Sequence, residues 1–288
     1  MAQTIHIIAD AGGTSTDWAL VGADGSSEFH KSDGYNAVSS PRDKLDEILA
    51  APRLHLREVT EVEFYGAGCT PENIPHVTDT LQRHFPGARI TVGSDMLGAA
   101  RALLDDREGI ACILGTGSNS CRYDGREIVD NVSPLGFILG DEGSGAALGK
   151  RLLNLIFKGL ADDNLIRDFE SEFPGLTRGE VIERVYRRPG APTFLASLCP
   201  FIRSHLDHPQ MRTMVRDEFR SFFRVNISQY SPSCPGMPVH FVGSLARWFD
   251  APLREAAADE GFTVGDILPA PIAALARRAA LRLVPDAG

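Results

Sequence analysis

The sequence predicts an α/β protein made of two lobes built on one plan, and three observations predict it. First, residues 4–33 read as strand, glycine-rich turn, return strand, Asp-Gly turn and third strand, and the same order restarts at residue 110 and runs to residue 130. Second, helices and strands alternate after the first set, and a long helical stretch followed by strand, helix, strand and helix comes after the second, the alternation that builds parallel sheets covered by helices. Third, the 288 residues, 43% hydrophobic and 23% charged, have globular composition and suit one large domain or two of ordinary size.

The first set is T-I-H-I-I-A-D-A-G-G-T-S-T-D-W-A-L-V-G at residues 4–22. Ile5, Ile7 and Ile8 precede the turn, and Trp18, Leu20 and Val21 follow it, as strand flanks should. Gly12 and Gly13 permit backbone angles and close approaches that a side chain forbids, while Thr14, Ser15 and Thr16 add hydroxyls beside the backbone N–H groups. That combination suits an anion, and Asp10 at the strand end suits a hydrated Mg²⁺ facing it. The plain alternative is an ordinary glycine hairpin.

Asp24-Gly25 turns the chain into a third strand at 27–33, and Gly34-Tyr35-Asn36 is a loop. Ser40-Pro41 starts a helix to about Ala51, residues 61–66 form a strand, and Thr70-Pro71 starts a helix that stops near Pro86-Gly87. Arg89–Val92 is a short strand, and Ser94 to about Asp106 a helix with Leu97, Ala100 and Leu104 on one face. The second set is a strand at 110–114, G-T-G-S at 115–118, a strand at 119–123, Asp124-Gly125 and a strand at 126–130. A glycine-punctuated loop at 131–145 enters a helix from about Gly143 to Gly159. The helical region to about residue 231 holds a capping box at Thr177 and Glu180 and a long amphipathic helix around 209–229. Val239–Val242 is a strand running into G-S-L-A at 243–246, a helix reaches Glu260, Phe262-Thr263-Val264 is the last strand, and an Ala/Leu/Arg-rich helix closes the chain.

A net charge of −9 and a pI of about 5.4 disfavour a nucleic-acid or anionic-membrane partner. Cys69, Cys112, Cys121, Cys199 and Cys234 are odd in number and contain no C-x-x-C, which favours reduced thiols over a disulfide frame or zinc site. No signal peptide opens the sequence and no apolar run reaches the roughly 18 residues of a membrane span, so a soluble, cytoplasmic protein is expected. His205 and His208, beside Arg203 and Asp207, read as a solvated face; Arg277, Arg278 and Arg282 read as amphipathic surface.

Taken together, D-A-G-G-T-S-T-D at 10–17, G-T-G-S-N at 115–119, G-D-E-G-S-G at 140–145 and V-G-S at 242–244 resemble the actin/Hsp70/sugar-kinase superfamily. Within it the chain is similar to the BadF/BadG/BcrA/BcrD ATPase family, which includes the eukaryotic-type N-acetylglucosamine kinases. The resemblance implies two duplicated actin-like ATPase (ribonuclease H-like) lobes flanking a nucleotide and substrate cleft. Their bounds are 1–108 and 109–288, with a helical insertion at about 150–235 and the closing helix, 271–284, packing back on the first lobe. It also implies ATP and Mg²⁺ as cofactors, an amino sugar as small-molecule partner, and a homodimer.

The resemblance carries roles onto matching positions. Gly12, Gly13, Thr14 and Thr16, with Gly115, Thr116 and Gly117, match the grips on the β- and γ-phosphates, and Asp10 the carboxylate that orients Mg²⁺ through water. Gly243, Ser244 and Arg247 match the adenosine site. Asp95, in V-G-S-D-M at a strand-to-helix junction, matches the catalytic base that takes a proton from the sugar hydroxyl; its plain reading is a helix cap. Asn36, Ser118, Asn119, Leu135, Gly136 and Asp141 match sugar contacts, with an Asx turn the plain reading of Asn36. Where vertebrate N-acetylglucosamine kinases carry a tryptophan between glycines, this chain has Leu135-Gly136-Phe137, which leaves glucosamine, N-acetylglucosamine and N-acetylmuramic acid as candidate acceptors. Two alternatives stand beside the kinase: an ATPase activator of a 2-hydroxyacyl-CoA dehydratase, whose cysteine-bearing N-x-x-C-A-A-G-T-G motif is missing, and a non-catalytic nucleotide or sugar sensor.

Overall fold

A computed structural model describes residues 5–55, 58–230 and 233–283, so Thr4, residue 231 and residue 284, expected bounds of elements, lie outside it. By contact the chain divides into two units, residues 1–107 with 125–127 and 270–288, and residues 108–124 with 128–269.

The first unit opens with an antiparallel meander, β1 (Ile5–Ala11), β2 (Ser15–Gly22) and β3 (Ser27–Asp33). It continues through α1 (Lys44–Leu49), β4 (Val59–Gly66), α2 (Ile74–His84), β5 (Arg89–Ser94) and α3 (Asp95–Leu104). The sheet runs β3-β2-β1-β4-β5, with β4 parallel to β1 and β5 parallel to β4. β1 is apolar on both faces because both are covered: Ile7 packs with Leu45, Phe64 and Leu81, and Ile8 with Tyr65, Ala19 and Leu275. Register sets Ala11 opposite Gly66 and Gly66 opposite Ser94, so three strands end level. α1 begins at Lys44 and α2 at Ile74, later than Ser40-Pro41 and Thr70-Pro71 suggest. Ser40 Oγ accepts from the Asn36 N–H at 2.9 Å and so serves the preceding loop, and Thr70 O accepts from Asn73 and Ile74 in a turn before the helix.

The second unit repeats the order as β6 (Glu108–Leu114), β7 (Ser118–Asp124) and β8 (Ile128–Asp130). A short α4 (Gly136–Leu139), unforeseen within the 131–145 loop, leads to α5 (Gly145–Phe157), whose N-cap Ser144 accepts from the Ala147 N–H at 3.1 Å. α6 (Asp163–Glu172), α7 (Arg178–Tyr186), α8 (Ala191–Ala196), α9 (Cys199–Ser204) and α10 (Pro209–Val225) follow. Thr177 caps α7 by accepting from the Glu180 N–H. β9 (Val239–Val242), α11 (Ser244–Trp248), α12 (Asp250–Asp259) and β10 (Val264–Leu268) complete a sheet ordered β10-β9-β6-β7-β8. That order, with β9 parallel to β6 and β10 to β9, is the first sheet's plan again. The last strand lies beyond 262–264 because the Phe262 N–H still bonds to Ala257 O at 2.8 Å as the chain leaves α12.

The closing helix α13 (Ile272–Leu283) belongs to the first unit, where Leu275, Ala276 and Ala279 pack on Ile8, Val21 and Tyr65. Its Arg278, expected on the surface, is only 10% exposed in its side chain and pairs with Asp105 and Asp106. Beneath this helix His6, Glu61 and Glu63 bring three potential ligand atoms within 4.8 Å. Arg89 already holds Glu61 at 2.5 Å, Tyr65 donates to Glu63, and Arg282 stands 3.8 Å from it, so the cluster is an ion network with its own cations. His205 Nε2 lies 3.5 Å from an Asp168 carboxylate oxygen and His208 Nε2 2.6 Å from one of Asp162. All five cysteines are buried free thiols. Among the described residues no helix is long and apolar enough to cross a membrane.

Candidate active site

In the first unit the glycine turn is closed by its own backbone: the Gly12 N–H donates to Ser15 O at 3.0 Å. Gly12 O accepts from the Tyr35 N–H at 3.0 Å, and a Cβ on Gly34 would lie 2.6 Å from three backbone atoms of the turn. Only glycine lets the loop after β3 press against the turn in this way. Gly34 is thus a site residue that motif reading passes over, although Gly-Tyr-Asn between two elements marks a loop. Gly13 and Thr14 are exposed at the turn's tip, whereas Thr16 is fully buried and its hydroxyl has no partner among the described residues.

Asp10 and Asp95 stand at the C-terminal ends of β1 and β5, the edge at which open parallel sheets bind ligands. Ser94 Oγ accepts from the Leu97 N–H at 3.2 Å and so is the N-cap of α3, with Asp95 as the first residue of that helix. The Asp95 carboxylate accepts from the Met96 N–H at 2.9 Å, and burial pushes it above the usual carboxylate range. Asp10 is pushed up to about 7, by burial first and then by the charges of Asp95 and Asp17, with Lys31 opposing. Three acidic groups against one lysine make a negative site whose charge a divalent cation would neutralise, so the donor set fits Mg²⁺.

Asn36 adopts the Asx turn: its Oδ1 accepts from the N–H groups of Val38 at 2.9 Å and Ser39 at 3.2 Å. That oxygen is spent locally, so a ligand would meet the amide NH₂. The Ala37 N–H donates to Ala67 O at 3.0 Å, which ties this loop to the end of β4, near Asp95's edge of the sheet.

In the second unit, Gly115 O and Thr116 O accept from the N–H groups of Gly145 at 2.8 Å and Ala146 at 3.1 Å, seating the G-T-G turn against the start of α5. A Cβ on Gly117 would approach Asp141 Oδ2 to 3.1 Å, and Ser118 Oγ donates to Glu142 O at 2.8 Å, so the turn and the G-D-E-G-S-G loop are interlocked. Asp141 holds a left-handed φ of 58°, rare for a residue with a side chain, and burial raises its pKa. A cavity of about 460 Å³ opens here, lined among others by Ser118, Asn119, Leu135, Asp141, Glu142 and Asn226. Asn119 Oδ1 accepts from the Ser120 N–H at 2.9 Å and from Asn131 Nδ2 at 3.0 Å, so that oxygen is spent within the protein. Gly136, with φ 73°, begins α4 at the rim beside exposed Leu135.

Gly243 lies beside this turn because Val242 pairs with Ile113. Its φ is 131°, and a Cβ would sit 2.0 Å from Leu114 O, so the β9-to-α11 junction demands glycine. Ser244 follows as the first residue of α11, and exposed Arg247 pairs with Asp250 at 3.4 Å. Each unit therefore gathers its own set: Asp10, Gly12–Thr14, Asn36 and Asp95 in the first, Gly115–Asn119, Asp141 and Gly243 in the second. Two lining residues were given no role from the sequence: Glu142, although it lies inside the G-D-E-G-S-G motif, and Asn131, which no glycine or motif spacing marks.

Residues 9–165 match the model of the BadF/BadG/BcrA/BcrD ATPase family. Among solved structures, a candidate N-acetylglucosamine kinase of Porphyromonas gingivalis is 42% identical, with 96% of this chain and 99% of that chain covered at a TM-score of 0.90. A candidate N-acetylglucosamine kinase of Chromobacterium violaceum is 19% identical over 98% of this chain and 99% of its own, with a TM-score of 0.72. A ROK family glucokinase of Streptomyces griseus, solved with glucose and AMPPNP, is 16% identical over 96% and 98%, with a TM-score of 0.55. The last two show the fold, which actin-like ATPases and sugar kinases share. No curated protein matches the chain.

Proposed function

The chain belongs to the BadF/BadG/BcrA/BcrD ATPase family, and we propose that it is an ATP-dependent amino-sugar kinase acting on the 6-hydroxyl of N-acetylglucosamine or a related amino sugar. The observation that carries this reading is Asp95. It is a desolvated carboxylate at the end of a parallel strand, directly after the N-cap Ser94 and level with a glycine turn and a second carboxylate, Asp10. The name given to the Porphyromonas gingivalis relative supports the same class of acceptor.

In this reading Asp95 accepts the acceptor hydroxyl's proton as that oxygen bonds to the γ-phosphorus, and the bond from the γ-phosphorus to the β–γ bridging oxygen breaks in line, releasing ADP. A raised pKa brings the base closer to the working pH, which strengthens it. Gly13 and Thr14, with Thr116 and Gly117, offer backbone and hydroxyl donors to the phosphates, while Gly12 and Gly115, whose own N–H groups are bonded to Ser15 O and Gly117 O, shape the two turns around them. Gly243, Ser244 and Arg247 serve adenosine, and Asn36, Ser118, Asn119, Leu135, Gly136 and Asp141 orient the sugar. Mg²⁺, held through water by Asp10, supplies neutralising charge to the phosphates when bound.

The test is ADP release with Mg·ATP across glucosamine, N-acetylglucosamine and N-acetylmuramic acid, alongside Asp95→Asn. One sugar should accelerate turnover, and the substitution should lower that rate by about 10²–10⁴-fold while leaving ATP binding intact. Equal rates in the two proteins would remove Asp95 from the chemistry.

A further inference from the structure

We infer that Glu218 is a positioning residue for the acceptor side of the site, acting through the G-D-E-G-S-G loop. The inference rests on the sugar-kinase reading. α10 presents a buried stripe of Met211, Val215, Phe219, Phe222 and Phe223, and Glu218 interrupts it at 5% exposure. A charge in such a stripe is costly unless it is paired and hydrogen-bonded, so it asks for a reason.

The contacts supply one. The Glu218 carboxylate accepts from the Gly143 N–H at 3.0 Å with one oxygen and from Arg151 Nε with the other. One helical step on, Phe222 packs over Gly143, where a Cβ would approach it to 3.0 Å; one step further, Asn226 Nδ2 donates to Glu142 Oε2 at 3.3 Å. Glu218, Phe222 and Asn226 are spaced i, i+4, i+8 and share one face of α10. That face clamps the loop at Gly143, whose φ is 75°, and at Glu142, and between the clamp and the G-T-G turn Asp141 is kept in its left-handed conformation. Such strain persists only where the surroundings over-determine it. Of these links, the Glu218–Gly143 bond is the only one made to the loop's backbone by a charged side chain, so it sets where Asp141 presents its carboxylate.

Two double variants isolate this bond from the ion pair. Glu218→Gln with Arg151→Met keeps an acceptor for Gly143 and leaves no unpaired guanidinium; Glu218→Leu with Arg151→Met removes the acceptor as well. The expected result is a sugar KM within about twofold of wild type for the first and raised about tenfold for the second, the size of one lost hydrogen bond to a charged group. KM for ATP should be unchanged in both, and their melting temperatures alike. Equal sugar KM values in the two doubles would overturn the positioning role and leave Glu218 a buried structural charge. Amide hydrogen exchange across residues 140–145 separates this failure from failure of the kinase reading. If wild type phosphorylates no sugar, the kinase reading falls; faster exchange only in the leucine double still supports the clamp, and equal exchange overturns it too.

Discussion

Ser94, and not Asp95, is the N-cap of α3. A Ser-Asp pair before an apolar helical run admits two capping residues, and the choice between them was not legible in the sequence, because either side chain can reach the N–H groups of the first turn. The Ser94 bond to Leu97 decides it. Asn36 went the other way: the Asx turn expected as its plain reading is what its oxygen makes, and only its NH₂ remains for a ligand. His6 gives a residue-scale prediction away from the site. Burial lowers its pKa below the ordinary 6.5, outweighing Glu63 and Glu61, while Arg89 and Arg282 add to the lowering. The unfolded chain then binds more protons than the folded one as pH falls through 6.5, so stability drops with falling pH from about that value down to the folded pKa. Urea unfolding at pH 7.5 and 5.5 should show that loss in wild type and a smaller one in His6→Gln; an equal loss would place the titration elsewhere.

At the scale of elements, the strands carried by β-branched runs were legible almost to the residue, as β1, β6 and β9 show, because a doubly covered strand must be apolar on both faces. β10 was not. Its sequence, V-G-D-I-L, has a glycine at its second residue, and the reason is tertiary: a Cβ at Gly265 would lie 2.6 Å from the His240 ring. α4 escaped notice because four residues are too few for a helical period to register. Gly243 tests how closely β9 and β6 approach at the junction with α11. Its positive φ and the 2.0 Å approach to Leu114 O leave no room for a methyl group, so Gly243→Ala must move β9 or β6. The expected cost is about 2–4 kcal/mol in thermal or urea unfolding, with weakened ATP binding in whatever remains folded. A neutral substitution would contradict the close junction.

For the whole molecule, the duplication was legible because both glycine turns and both Asp-Gly turns sit at matching places in two identical sheet orders. The placement of α13, which packs on the first unit through Leu275, Ala276 and Ala279, had only the family resemblance behind it, because no local pattern announces that contact. The helical region between α5 and β9 shows the same limit, since α10 supports the loop through a buried glutamate and two aromatic rings rather than through a motif. Under the proposed function, an acidic protein with net charge −9 needs local donors for a polyanionic nucleotide, and the glycine turns are the donors proposed for it. The most direct test of the central claim is phosphorus–proton correlation NMR on the product of Mg·ATP and N-acetylglucosamine. Transfer to the 6-hydroxyl gives a phosphate ester coupled to the protons on carbon 6, formed about 10²–10⁴-fold more slowly with Asp95→Asn. ATP consumed with no phosphorylated sugar, from this or the other amino sugars, would contradict it.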